Sequence, residues 1–546
     1  VAAASPRDDV SILVIVGIAA SIVTGLMVTE IGFGLSRRSV CERFLRLSIA
    51  VLLALGILSV SYAVALFGDL DRRLEPLLPI ALSAVAALFL LRMLKAGVGP
   101  ASSRPPGVIL SRRSAVGGGR REGRRTAKDL LRRPPVKAEM PLVPLEPRDT
   151  QPSTRVLRAL FLAAALIASA TAIEHTLREP EGGFDAWAIW NSRARALFRA
   201  SSPALEAFSP DLARAQFRTH ADYPLLVPGL VVEGFRLIGR ESIAVPAVVA
   251  ILFGVLLAST VTLGVADLLG GRWGLLAGSI LLSAPIFVTL VVRQCADVPL
   301  ATFVFAACML AVYADRTAGA AGCAGRQDLG ADPDGALQVS RHLRLIALAG
   351  FTLSFAAWCK NEGVVFLLAV PLAFLLRRGI ELRARAVESL WWAAGALPVV
   401  ALLVIFKLHF APRNDLMTAN GWAVIAPLLD PERWWLVARA IGRRVIALHE
   451  WGPHLLATIV VVGMLLFRRR RGMPVDPTAR SIALALALVA LSFGAVYLLT
   501  PHDAEWQVRY TFDRLAFQCW PTALLAIFLE VNLRVSAPPR ETLPSP

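Results

Sequence analysis

The chain has 546 residues, 56% hydrophobic and 18% charged, with a formal net charge of +17. Its mean hydropathy of +0.61 excludes an ordinary soluble enzyme, because too little polar side chain remains to cover the surface of a chain this long. Six cysteines (Cys41, Cys295, Cys308, Cys323, Cys359 and Cys519) form no Cys-x-x-Cys pair, which argues against a zinc site or a disulfide framework.

Apolar runs of about 17–23 residues recur along the chain, the length needed to cross a hydrocarbon core about 30 Å thick. The expected fold is therefore an all-α polytopic membrane protein with about thirteen transmembrane helices. Three spans come first, near 10–34, 46–67 and 77–93, and make an N-terminal unit over 1–95. The first is long enough to span, so it is expected to stay rather than be cleaved as a signal.

Composition then changes abruptly. Residues 96–154 are rich in Arg, Pro and Gly, and the region 92–158 holds about sixteen Lys and Arg against about five Asp and Glu. It carries roughly two thirds of the net charge and reads as a disordered linker held in the cytoplasm by the positive-inside rule. Aromatics are absent from the basic run, so no nucleic-acid partner is expected; an anionic leaflet accounts for the charge.

Ten further spans are expected at 156–176, 243–267, 274–292, 297–314, 343–359, 362–376, 389–409, 452–467, 480–500 and 515–532, within a unit over 155–535. A short tail, 536–546, should be cytoplasmic. Basic clusters at 377–385 and 468–472 mark cytoplasmic ends. Parity between the linker and 377–385 then makes 223–239 a juxtamembrane or re-entrant element on the outer side rather than a span. The run 422–442 looks like a second such element, and the N-terminus is expected outside.

With sides assigned, five polar motifs fall on the outer face: EGGFDAWAIWNSRARAL (181–197), RTHADYPLL (218–226), RQCADVPL (293–300), KNEG (360–363) and TPHDAEWQVRYTFDR (500–514). The inner loops are simply basic, and this asymmetry points to a site on one face. Asp185 among aromatics suits a general base, its plainer reading being an ordinary loop acid. Arg293, Lys360, Arg509 and Arg514 are cations where topology asks for none, and suit a phosphate. Plainer readings accompany these: Asp297 as a helix N-cap, Trp187 and Trp190 as interface-belt residues, KNEG as a tight turn, and the arginines paired with Asp503, Glu505 or Asp513. His220 and His502 have surface polarity as their plainer reading. No HExxH, P-loop or GxSxG motif occurs, which leaves zinc proteolysis, nucleotide hydrolysis and serine hydrolysis without support.

A span followed by an outer loop with an early Asp (FDAWAIW), then YPLL, then an Asp-x-Pro-Leu helix start, resembles the GT-C membrane glycosyltransferases. The resemblance is to the bacterial branch of the protein O-mannosyltransferase and lipid A aminoarabinose transferase-like family, over about residues 155–535. It implies transfer of a sugar from a polyprenyl-phosphate donor to a glycan, lipid or protein acceptor outside a bacterial plasma (inner) membrane, on its periplasmic face. By that resemblance Asp185, Asp297 and Glu362 are the catalytic acids. Trp190, His220, Tyr223, Arg293, Lys360, His502, Arg509 and Arg514 line the substrate. No cofactor is required; Asp185 and Asp297 would admit Mg or Mn without demanding it. Direct attack on the anomeric carbon implies inversion. A flippase for lipid-linked sugars, a non-catalytic membrane scaffold and a polymerase using a lipid diphosphate are the rival readings.

Overall fold

A computed structural model of the chain describes residues 6–33, 39–68, 79–81, 84, 152–200, 220–324, 333–377, 382–412, 426–447, 451 and 476–536. The linker, the expected spans at 77–93 and 452–467, and the tail lie wholly or mostly outside these.

Every regular element among the described residues is helical. In chain order they are α1 (Pro6–Phe33), α2 (Val40–Phe67), α3 (Pro152–Arg178), α4 (Ser192–Arg199), α5 (Leu226–Ile238), α6 (Ala244–Leu269), α7 (Gly271–Leu282), α8 (Pro285–Val292), α9 (Asp297–Ala324), α10 (Pro333–Cys359), α11 (Glu362–Leu375), α12 (Leu382–Ile405), α13 (Pro431–Ala447), α14 (Pro477–Leu499) and α15 (Ala504–Ser536). Two π-helical turns join them, Ala186–Asn191 before α4 and Phe406–Phe410 after α12. Eight of the described helices are long and apolar enough to cross a membrane, or nine if α7 and α8 form one broken span. The chain is thus an all-α protein with the build of a multi-pass membrane protein.

Three expected spans take another form. The run 274–292 is bent by 62° between α7 and α8. Ala284 is extended (ψ 113°) ahead of Pro285 at the first turn of α8, the backbone that a following proline imposes. The run 362–376 becomes the 14-residue α11, shorter than a spanning helix needs. The run 515–532 is the continuation of α15, which already begins at Ala504. The charged stretch before it is therefore helix, not a connecting loop. Asp503 starts it: its carboxylate accepts the backbone N–H of Trp506 at 2.6 Å, an N-cap bond.

The centre of the bundle is α9. It is apolar on every side, and 94% of its spanning window is buried against α6, α10 and α15. By contrast α3 is only 6% buried and presents Leu162, Leu166, Ile167 and Leu177 outward, a face suited to lipid. The segment 223–239 forms α5, 13 residues or about 20 Å long, too short to span. The run 422–442, expected to be the second such element, overlaps α13, which is amphipathic and exposes Trp434 and Trp435.

Polar side chains gather at both ends of the bundle. At one end Arg377 bonds Glu388 at 2.9 Å and also Asp315, and His342 meets Glu388 at 3.1 Å. The end expected to be cytoplasmic is therefore not simply basic, and its charges are neutralised by acids drawn from α9 and α12. One-sided polarity alone does not locate a site here; the arrangement at the other end has to.

Candidate active site

The other end is where α10 stops and α9, α11 and α15 start. Asp297 opens α9 and is fully buried. Its Oδ2 accepts Arg514 Nε at 3.1 Å and Nη2 at 2.8 Å. Its Oδ1 accepts Lys360 Nζ at 3.2 Å and Gln518 Nε2 at 2.6 Å. Arg514 and Gln518 lie four apart on α15 and so share one face. Arg514 Nη1 also donates to Asp185, just ahead of the first π-turn. Lys360 also pairs with Glu362 at 2.7 Å. Three carboxylates and two cations from four separate segments make one connected cluster.

Local sequence explains how these pieces approach. Gly182 has φ +75°, a left-handed conformation, and a Cβ there would lie 3.0 Å from the Arg293 carbonyl. Gly183 N–H donates to that same carbonyl at 3.2 Å, tying the Asp185 loop to the α8–α9 junction. Asn191 Nδ2 donates to Gln294 Oε1 at 2.9 Å, and Gln294 Nε2 donates to the Pro180 carbonyl at 3.0 Å, closing the same seam. In KNEG, a Cβ on Gly363 would sit 1.9 Å from the Ala356 carbonyl, so only glycine lets α11 start this close to α10.

Further polar contacts, beside the cluster, hold the 220–224 turn. Asn361 Nδ2 donates to Asp222 Oδ2 at 2.6 Å, and Lys407 Nζ, from the second π-turn, donates to Asn361 Oδ1 at 2.6 Å and to the Asp222 carbonyl. Arg193 donates to the carbonyls of Tyr223, at 2.6 Å, and Ala221. On this turn the Tyr223 ring stacks on Trp190 at 5.4 Å and on His220 at 4.9 Å. The Lys360 ammonium lies 5.8 Å from the Tyr223 centroid.

Burial opposes the charge on Lys360, but Asp297 and Glu362 outweigh it and hold the ammonium above the usual lysine range. Burial, with Glu362 beside it, pushes the Tyr223 phenol far up, so it stays neutral. The Cys295 thiol is pushed up to about 12, again by burial, and is no nucleophile at neutral pH. Arg193 is lowered to about 10 by burial, against the pull of Asp222.

Of the residues expected to line the site, Asp185, Asp297, Glu362, Lys360 and Arg514 form the cluster, and Trp190, His220 and Tyr223 stack beside it. Three do not join it. Arg293 is exposed at the end of α8 and contributes its backbone carbonyl. Arg509 is exposed five residues before Arg514, with Tyr510 beneath it. His502 is exposed in the turn ahead of α15. The helix separates them: residues 509 and 514 point to different sides of α15, which a loop would not have required. The acids of the run also go elsewhere, Asp513 to Arg444 and Glu505 to Arg443. Trp187 is 47% exposed, as a belt residue would be, while Trp190 is buried.

No family model, curated protein or solved structure matches this chain.

The cluster can orient an anion, since Arg and Lys present several donors, and it can take a proton on a part-exposed carboxylate. Among the described residues no group of three or more His, Cys, Asp or Glu is placed to hold a metal ion.

Proposed function

We propose that the chain is an integral membrane glycosyltransferase that moves a sugar from a polyprenyl-phosphate donor to an acceptor hydroxyl on the extracytoplasmic face of a bacterial inner membrane. The observation that carries this reading is the linkage of Asp185, Arg514, Asp297, Lys360 and Glu362 across some 330 residues of chain at one end of the bundle. Such a cluster combines what the reaction asks for: a carboxylate reachable by an acceptor and cations near where a phosphate would leave.

In the proposed step the acceptor oxygen attacks the anomeric carbon and its proton passes to Asp185. The carbon–oxygen bond to the lipid phosphate breaks, and its electron pair stays on the phosphate. Arg514 and Lys360 stabilise that developing charge. Attack opposite the leaving group inverts the anomeric centre. Asp297 does not react: fully buried between both cations, it fixes their positions.

The test is the envelope-glycan and glycoprotein mass profile of a strain lacking this gene, complemented with wild type or Asp185→Asn at matched membrane levels. The reading predicts one missing sugar mass, restored by wild type alone. Restoration by both chains would remove Asp185 from the chemistry and favour a scaffold or transport role.

A further inference from the structure

Both cations of the cluster are anchored on the inside and capped on the outside, and anchor and cap differ in kind. The shared anchor is Asp297, with a side chain 0% exposed. The caps are Asp185 on Arg514, with a side chain 26% exposed, and Glu362 on Lys360, with a side chain 20% exposed. Removing the anchor would take from buried Lys360 and part-buried Arg514 the one fully buried carboxylate they share, a strongly unfavourable change. Displacing a cap costs less, because Asp297 still holds each cation and the displaced carboxylate is already part-exposed. With all five groups ionised the cluster holds one negative charge in excess, so an arriving anion is repelled unless a carboxylate yields its place. Glu362 is only half engaged: its Oε2 is buried without a hydrogen-bond partner among the described residues.

We infer that the Arg514–Asp185 and Lys360–Glu362 pairs are exchangeable caps: a phosphate group displaces both carboxylates and takes over the outward donors of Arg514 and Lys360. The phosphate is a lipid phosphate only on the transferase reading; the exchange itself needs just the anion. Before exchange Asp185 is held on the guanidinium. After it Asp185 is free to face an acceptor hydroxyl. The site therefore fills in order, phosphate-bearing donor first and acceptor second, and the base is released by the ligand whose chemistry it serves.

The exchange makes a counter-intuitive prediction. Neutralising a cap should strengthen anion binding even as it removes the base. The experiment is equilibrium binding of farnesyl phosphate to the purified full-length chain in detergent. Parallel arms use farnesol and inorganic phosphate, each with chelator and with added Mg or Mn. Asp185→Asn should bind farnesyl phosphate about three- to tenfold tighter than wild type, the range that release of a part-exposed ion pair allows. Glu362→Gln should shift in the same direction, and it carries the test if Asp185→Asn fails to fold. Glu181→Gln makes the same charge change on a residue that is half exposed and pairs with Arg195 at 3.3 Å, outside the cluster; it should change nothing. Farnesol binding should be indifferent to all three. Tightening seen equally with inorganic phosphate supports the exchange and assigns the recognition to the phosphate alone; tightening confined to farnesyl phosphate supports it and assigns the ligand to a lipid. Equal or weaker binding by both cap variants overturns the inference, as does equal tightening by Glu181→Gln. A divalent-cation requirement that Asp185→Asn abolishes overturns it too, because Asp185 would then be a metal bridge. Absence of sugar transfer by a wild-type chain that still shows the exchange would sink the transferase reading and leave the exchange standing.

Discussion

Arg514 Nη2 lies 2.8 Å from Asp297 Oδ2, although 217 residues separate them in the chain. This pair ties the last described helix to the central one, and Lys360 doubles it from the turn just past α10 at 3.2 Å. Asp297 is therefore the structural keystone of the cluster. Replacing it with Ala takes from Lys360 and Arg514 the buried carboxylate they share, leaving each only its part-exposed partner, and should cost about 3–5 kcal/mol. Thermal unfolding of the purified chain in detergent, with Asp185→Ala as the comparison, checks this. A part-exposed Asp185 should cost about 1 kcal/mol or less. Equal losses at the two positions would contradict the separation of anchor from cap.

Gly363 sits where α11 starts against α10. Gly363→Ala drives a methyl into the Ala356 carbonyl and should cost about 1–3 kcal/mol through forced backbone shifts, with loss of the Lys360–Glu362 geometry. Gly442 on α13 has open space around its Cα, and Gly442→Ala should be neutral or mildly stabilising. Comparing the two melting temperatures tests whether the KNEG glycine serves close approach.

Among the described residues Lys407 makes its hydrogen bonds to Asn361 and the 220–224 turn rather than to the cluster itself, so it is a positioning residue. Lys407→Met should lower sugar transfer by about tenfold, the effect expected when a supporting contact is lost and the groups it places drift by a fraction of an ångström. The fall should appear in KM more than in kcat if the turn carries substrate contacts, and Lys407→Arg should recover part of it. An unchanged KM would remove the turn from substrate binding.

The charge on Lys360 sets a pH window. Its folded pKa is raised, so the stability contributed by its ion pairs is fully present below the unfolded lysine value of about 10.4 and is lost only as pH climbs through the higher folded value. The difference in unfolding midpoint between wild type and Lys360→Met should therefore stay constant from neutral pH to about pH 10. A difference that shrinks between pH 7 and 9 would mean that Asp297 and Glu362 do not hold the ammonium.

Part of this cluster is legible in the sequence for a simple reason. An acid or a lysine at the edge of a long apolar run is conspicuous, and Asp297, Lys360 and Glu362 all stand at such edges, while Asp185 stands beside the short aromatic run AWAIW. Gln518, Asn361 and Gln294 stay hidden because neutral amides carry no such signal. Asp222 lies inside the RTHADYPLL motif, and its role depends on Asn361, which only folding brings near. Lys407 left a trace, a lone cation in the apolar run VIFKLHF at the end of α12, the kind of placement that marks a buried partner. The stretch 500–514 misleads because its charges suggest a loop. The N-cap at Asp503 and the four-residue spacing of Arg514 and Gln518 are the helical clues it carries.

The most direct measurement is the release of polyprenyl phosphate from a polyprenyl-phosphate sugar by the purified chain, with an envelope extract as acceptor. Wild type should release it at least about a hundredfold faster than Asp185→Asn at matched folding, the span a general base supplies. Equal release by the two chains, or none by a folded wild type, would contradict a transferase built on Asp185.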